Sequence, residues 1–343
     1  MTELVDSSGE TSQALRVLYV AGLARSGSTV LGYVLGKLPG TIFVGELALF
    51  WRRFAEGELC SCGKPLPDCH FWSAVVSKAF GQMTYEHARG LKELERRVAR
   101  WQRLLGLVPV RWSTRWSKQI QIMLEERGRL YRAICEIANA ECVVDSGKEV
   151  TFGSMMARLS NTTFSTIHLV RDPRGVVFSW QKQVRSDSEP GYMPQSPAIR
   201  AAARWMSVNI FVQLSLRRLS NAYSRVRYED LVAYPGDIAY GILRATSNPS
   251  GSNGWAGRRT QYANGHHLVG GNPRVRRHLG HDLRLTLDDE WRIRLPRGQR
   301  WLVTAVCGGL MAAYDYPLRN RTSYAGAIPR DLSRARPGTE RSR

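Results

Sequence analysis

Short apolar runs that end in small or charged turns recur along the chain, and helical spacing follows most of them. Residues 17–21 (VLYVA) are the first such run, bulky and without polar alternation, which predicts a strand buried on both faces. Residues 22–29 (GLARSGST) form a turn of small residues, and 30–35 resume an apolar pattern suited to a helix. Residues 41–44 predict a second strand that runs into Gly45-Glu46-Leu47. Residues 142–145 predict a third, with Ser146-Gly147-Lys148 as the turn after it and a helix over about 150–159. Residues 165–170 predict a fourth, closed by Arg171-Asp172-Pro173-Arg174-Gly175, with a helix from Val176. Residues 225–228 predict the next strand, leading into Glu229-Asp230-Leu231. His168 falls in mid-strand and reads as a packed core residue. Strands alternating with helices predict an α/β fold, a P-loop-like parallel sheet flanked by helices.

Residues 84–140 break this alternation. Leu91, Leu94 and Val98, then Ile120, Met123, Leu124, Leu130, Ile134 and Ile137, recur at spacings of three and four, the stripe of an amphipathic helix. The pair reads as a helical insertion, about 51–140 in all, covering one end of the sheet as a lid; simple packing on the sheet is the alternative. Trp51, Phe54, Trp72, Trp101 and Trp112 are candidates for a pocket wall or for core. Ser196-Pro197 reads as an N-cap and first-turn proline of a helix reaching about residue 219, and a last helix is expected over 299–314. The domain spans about 15–325, between a loose, disordered leader (1–14) and a disordered basic tail (326–343).

The net charge of +20, mostly from Arg, suits nucleic acid, an anionic membrane or anionic small ligands. The interleaved aromatic and basic residues of a nucleic-acid module are missing, so nucleic acid is not the expected partner. Apolar runs fall well short of the ~20 residues of a membrane span, and the polar, acidic start lacks a secretory pattern. The expected location is the cytoplasm. Six cysteines are too few for a disulfide scaffold at this length. Cys135, Cys142 and Cys307 sit in apolar surroundings and read as core. Cys60, Cys62 and Cys69, followed by His70, supply ligands enough for zinc, although C-x-C is an unusual spacing for it; a disulfide or plain reduced thiols are the alternatives.

The chemistry concentrates at strand ends. Strand, small-residue loop and helix aim backbone N–H groups and a helix dipole at an anion. Gly22, Gly27 and Thr29 match the P-loop spacing G-x-x-x-x-G-K-[ST], but Ser28 stands in place of the lysine that neutralises a triphosphate's terminal phosphates. That substitution argues against ordinary ATP or GTP hydrolysis and leaves Arg25 as the loop's own cation. Glu46 and Lys148 also follow strands, where open α/β sheets place their ligands. Arg171 and Ser179, eight residues apart, are placed to clamp a phosphate from two sides. Residues 270–277 (GGNPRVRR) form a basic, glycine-rich turn.

At this point the chain resembles the sulfotransferases that use 3′-phosphoadenosine 5′-phosphosulfate (PAPS), the bacterial branch in particular. GLARSGST is similar to that family's 5′-phosphosulfate loop, RDPRGVVFSW to its 3′-phosphate motif, RYEDLVAYP to its Tyr-Glu-Asp segment and GNPRVRR to its late basic loop; the resemblance covers about residues 16–318. It implies that Arg25, Ser26, Gly27, Ser28 and Thr29 wrap the 5′-phosphosulfate. It also implies that Arg171 and Ser179 bind the 3′-phosphate, with Arg274 in the same region, and that Tyr228 lies on the adenine side. Glu46 falls where relatives place a catalytic carboxylate, and Lys148 resembles a lysine near the transferred group. The implied acceptor is a hydroxyl or amine of a small molecule or carbohydrate. No metal is expected in the reaction, since a sulfuryl group carries less charge than a terminal phosphate. Two rival readings are a P-loop kinase or ATPase and a non-catalytic basic protein that binds anions or nucleic acid.

Overall fold

The computed structural model describes residues 14–105, 114–183, 194–246, 267–272 and 285–319; the basic tail and nearly all of the leader lie outside them. All five expected strands are present: β1 (Leu15–Ala21), β2 (Thr41–Gly45), β3 (Cys142–Lys148), β4 (Thr162–Val170) and β5 (Ala222–Arg227). They form one parallel sheet in the order β2-β3-β1-β4-β5. The bulky run of β1 is buried on both faces. Val17, Tyr19 and Ala21 enter one apolar cluster and Leu18 and Val20 another, as the strand's period of two dictates.

Helix α1 (Ser28–Leu35) covers the second face, with Leu31 and Leu35 beside the sheet. The first face is covered by α2 (Phe50–Ala55), α3 (His70–Phe80), α4 (Tyr85–Leu105), α5 (Thr114–Ala138) and α6 (Val150–Met156). Leu91, Val98, Ile120, Met123, Leu130 and Ile134 are buried in that cluster, so the insertion packs its apolar stripe under the sheet. Trp51, Phe54 and Trp72 are buried there too, with the rings of Phe50 and Trp72 5.0 Å apart. Trp51 and Trp72 are core residues, and Phe54, buried as well, also lines a cavity with Val76, Met83 and Tyr85; each such side chain contributes about 1.5–3 kcal/mol by leaving water. The side chains of Trp101 and Trp112 lie outside the described residues.

Helices α7 (Pro173–Gln181) and α8 (Ala198–Phe211) follow β4; α8 runs on through a π-helical turn (Val212–Leu216) into α9 (Arg217–Leu219), so the helical stretch reaches residue 219 as expected before the chain enters β5. Then come α10 (Tyr228–Ala233) and α11 (Pro235–Thr246), which joins α1 on its face of the sheet. Two last helices, α12 (Trp291–Arg294) and α13 (Arg297–Ala313), build a third cluster with α7 and α8 around Trp205, Val303 and Met311.

Three expectations need correction or detail. Ser146-Gly147-Lys148 is the end of β3 and not a turn, because Lys148 pairs with Ala21 of β1 across a bulge. Helix α8 begins at Ala198, and Pro197 is its extended cap residue. Cys142 and Cys307 are buried as expected, while Cys135 is only half-buried. His168 is fully buried between Asn209 Oδ1 (2.8 Å from Nε2) and Tyr223 Oη (2.6 Å from Nδ1). Burial pushes its pKa down to about 4, so it is a neutral core histidine.

Candidate active site at the C-terminal rim of the sheet

With every strand parallel, all five C-terminal ends share one rim, and the order reverses at β1, where α/β sheets open a crevice. The loop after β1 starts against this rim. A Cβ on Gly22 (φ 148°) would stand 2.4 Å from the Leu169 carbonyl oxygen, so the loop lies directly over the end of β4. Arg25 sits at φ 76°, a conformation non-glycine residues seldom adopt. Gly27 caps α1 at φ 94°, flush against Tyr228, whose ring a Cβ would meet at 2.5 Å. Ser26, Ser28 and Thr29 are all buried. Thr29 Oγ1 accepts the Asn272 N–H (3.0 Å), while Ser26 Oγ is buried without a partner among the described residues. No side chain caps α1, so its first-turn N–H groups face the loop.

Arg171, just beyond β4, reaches the same place. Its guanidinium donates to the Arg25 carbonyl (3.1 Å) and to the Asp288 carbonyl (2.6 Å), pairs with Asp288 Oδ2 (3.1 Å) and lies 4.6 Å over the Tyr228 ring. Burial works to raise the Asp288 carboxyl, but Arg171 and Lys182 outweigh it and hold it below its ordinary value. The Trp180 indole donates to the Ala24 carbonyl (3.3 Å), and the Arg25 guanidinium lies 5.8 Å from that ring. This brings the last turns of α7, with half-buried Ser179, beside the loop. Arg274 lies outside the described residues.

Two motifs legible in the sequence, RDPRG and RYED, meet behind Arg171 together with Tyr316. Asp172 caps α7 by accepting the Arg174 N–H (2.9 Å) and grips the Arg174 guanidinium with both oxygens. The Asp172 N–H donates to Glu229 Oε1 (3.1 Å), and Tyr316 Oη donates to Glu229 Oε2 (2.8 Å). Burial pushes the Glu229 carboxyl up to about 6.

Glu46, just past β2, and Lys148, the last residue of neighbouring β3, form an ion pair, Nζ to Oε1 2.6 Å. Lys148 is at φ 62°, and its carbonyl accepts the Gly22 N–H at 3.5 Å, so the pair borders the start of the loop. The turn after Glu46 is fixed from below. Asp145, fully buried, accepts the Leu47 N–H (3.2 Å) and the Tyr131 hydroxyl; burial pushes its pKa up to about 6. Buried Arg127 donates to the Leu47 carbonyl (2.8 Å), pairs with Glu95 and lies against Trp51 and Phe152.

The structure therefore brings Arg25, Ser26, Gly27, Ser28, Thr29, Arg171 and Tyr228 together, and sets Glu46 with Lys148 beside them. Asp288, Lys182, Asp145 and Arg127 were not singled out from the sequence. Only the carboxylate at the end of a strand pattern, Asp145, carried a signal that could have marked it.

Asp145→Ala strands the Tyr131 hydroxyl and the Leu47 N–H in the core and should cost about 2–4 kcal/mol by urea unfolding. Linkage gives the pH sense. A carboxyl raised to about 6 keeps its proton where the unfolded chain has lost it, so its contribution declines as pH rises from about 4 to 6. Asp145→Asn should flatten that part of the stability profile; an unchanged slope would assign it to other groups.

No protein-family model matches the chain, and no curated protein does. Among solved structures, the chain is similar to the sulfotransferase domain from the Synechococcus PCC 7002 olefin synthase, at 20% identity over 89% of this chain and 97% of that one, TM-score 0.45. It is also similar to the sulfotransferase domain from the curacin biosynthetic pathway, at 19% identity over 90% of this chain and 100% of that one, TM-score 0.46. None of the described helices is long and apolar enough to cross a membrane.

Proposed function

We propose that the protein transfers a sulfuryl group from PAPS to a hydroxyl or amine of a small-molecule or carbohydrate acceptor. One observation carries the reading: the buried Ser26 hydroxyl in a glycine turn, without a partner among the described residues, lies at the same rim as the Arg171 guanidinium, which touches that turn. The residues fit an adenine nucleotide with two anionic ends. The uncapped start of α1, Ser26, Ser28, Thr29 and Arg25 suit the 5′ end, and Arg171 with Ser179 the 3′-phosphate. Tyr228 offers a ring beside Gly27 for the adenine side, and the resemblance assigns Arg274, outside the described residues, to the 3′-phosphate. PAPS, when bound, supplies a sulfuryl group activated by its 5′-phosphate leaving group.

The protein's own work is positioning and charge stabilisation, as in phosphoryl transfer. Loop N–H groups, the Ser28 and Thr29 hydroxyls and Arg25 stabilise negative charge on the 5′-phosphate side. Glu46 takes the proton from the acceptor. Lys148 engages Glu46 Oε1, aims the carboxylate and leaves Oε2 to receive that proton. The kinase or ATPase reading is weaker still in three dimensions. The strand carboxylate beside β1, Asp145, is committed to Leu47 and Tyr131 and is closed to a solvated Mg²⁺. A cytoplasmic location suits the nucleotide.

Calorimetry with adenosine 3′,5′-bisphosphate tests the reading: saturable binding is expected, and none would reject it. Mass-spectrometric screening of hydroxyl and amine acceptors with PAPS supplied would identify the product. Asp288→Asn should tighten bisphosphate binding severalfold, because the half-exposed Asp288 carboxylate competes for Arg171; weaker binding would assign Asp288 to the ligand site itself.

A further inference from the structure

Cys60, Cys62 and Cys69 converge with His267, nearly 200 residues further along, their ligand atoms all within 4.8 Å of one another. Cys60 lies in a tight turn. Its N–H donates to the Lys64 carbonyl (2.8 Å), Gly63 at φ 88° reverses the chain, and Leu59 bridges to Pro65. Cys69 is the residue before α3, where a helix dipole favours a thiolate. His267 is brought in by three hydrogen bonds: Trp72 Nε1–H to its carbonyl (3.1 Å), Leu268 N–H to Ser61 Oγ (2.7 Å) and Ser61 N–H to the Leu268 carbonyl (3.3 Å). His70, the imidazole adjacent in sequence, stands edge-on to the His267 ring at 4.5 Å between centroids and is not in the group.

We propose that these four side chains hold one zinc ion in a closed, structural Cys3His site. Tetrahedral zinc, with Zn–S near 2.3 Å and Zn–N near 2.05 Å, sets ligand sulfurs about 3.8 Å apart and a sulfur about 3.6 Å from nitrogen. The observed separations are 3.6 Å for Cys62 to Cys69, 3.8 Å for Cys60 to His267 Nδ1 and 3.3 Å for Cys69 to His267 Nδ1. A disulfide needs its sulfurs about 2.05 Å apart and would use only two of the three thiols. Four protein ligands leave no open position, so the ion fastens structure and takes no part in group transfer. What it fastens is the 267–272 segment. From there Val269 bridges to Gly45 and accepts the Glu46 N–H (2.7 Å), and Asn272 reaches Thr29.

The test uses the full chain purified under reducing conditions without chelator. Elemental analysis should find about one zinc per chain, the stoichiometry of a closed site. A thiol-modifying mercurial should release it. Chelator-treated protein should melt at a lower temperature and regain its melting point with added zinc. Titrated with Co²⁺, it should show the thiolate charge-transfer and strong d–d bands of a tetrahedral site, abolished by excess zinc. Cys62→Ser, at the exposed ligand, should lose most of the zinc while the chain stays folded by circular dichroism. Cys69→Ser and His267→Ala should do the same. Metal content below about a tenth of an equivalent even after zinc addition, no cobalt bands, or a Cys62–Cys69 disulfide in a non-reducing peptide map would overturn the proposal. So would full zinc retention in the Cys62→Ser protein.

Discussion

Arg171→Ala is expected to weaken adenosine 3′,5′-bisphosphate binding by roughly a hundredfold in calorimetry, with the protein still folded. Truncating one partner of a buried, hydrogen-bonded charge pair costs about 2–5 kcal/mol, which is about 30-fold to several-thousand-fold in affinity. The lower half of that range applies here, because Arg171 already holds an anion in the free protein. Its pairing with Asp288 must be exchanged for the ligand's phosphate, and the exchange returns only the difference. Two features separate this from a loss of fold. Arg171 also supports the loop through the Arg25 carbonyl, so the variant's melting temperature has to be measured beside its affinity. Arg171→Lys keeps the charge but loses the planar fork and should recover only part of the affinity. An Arg171→Ala protein that binds the bisphosphate as the parent does would remove this residue from the site and leave the rim without its 3′ anchor.

Arg171 was legible because its cue is local: a β-branched run, then a charged turn, then a proline that starts a helix. The same holds for residues 22–29, where a strand pattern, small residues and a helix pattern abut in one stretch. Strand ends could be placed, but not which strands are neighbours. Glu46 and Lys148 each stood beyond a strand in the sequence, yet their ion pair depends on β2 lying next to β3, which the chain order does not state. Ser146-Gly147-Lys148 has the composition of a turn and becomes strand because β1 offers it a ladder, a tertiary override of local propensity. Buried Arg127 was invisible for a different reason, and buried Asp145 offered only its place at the end of a strand pattern. Charged residues are expected at the surface, and only a partner on another element makes their burial tolerable. His267 shows the same limit, since adjacency pointed to His70 while the fold delivered an imidazole from nearly 200 residues away.

Glu46→Gln should leave bisphosphate affinity unchanged and reduce kcat by about 10²–10⁴, the contribution of a positioned general base. The split between the two readouts is what identifies the role. Glutamine keeps an oxygen that can accept from Lys148 Nζ, and the Glu46 N–H remains bonded to the Val269 carbonyl, so the residue's place at the end of β2 survives the substitution. What disappears is the ability to take a proton from the acceptor. Lys148→Ala acts on the same carboxylate from the other side. The base keeps its chemistry but loses the contact that aims it, and a misplacement of about 1 Å costs on the order of a hundredfold. If Lys148 only aims Glu46, the double variant should be little slower than Glu46→Gln alone, because an aimed base that no longer exists cannot be lost twice. If Lys148 also stabilises charge on the transferred group, the two losses should multiply. An unchanged kcat in Glu46→Gln would end the base assignment, and the proton would then have to leave through a group elsewhere on the rim.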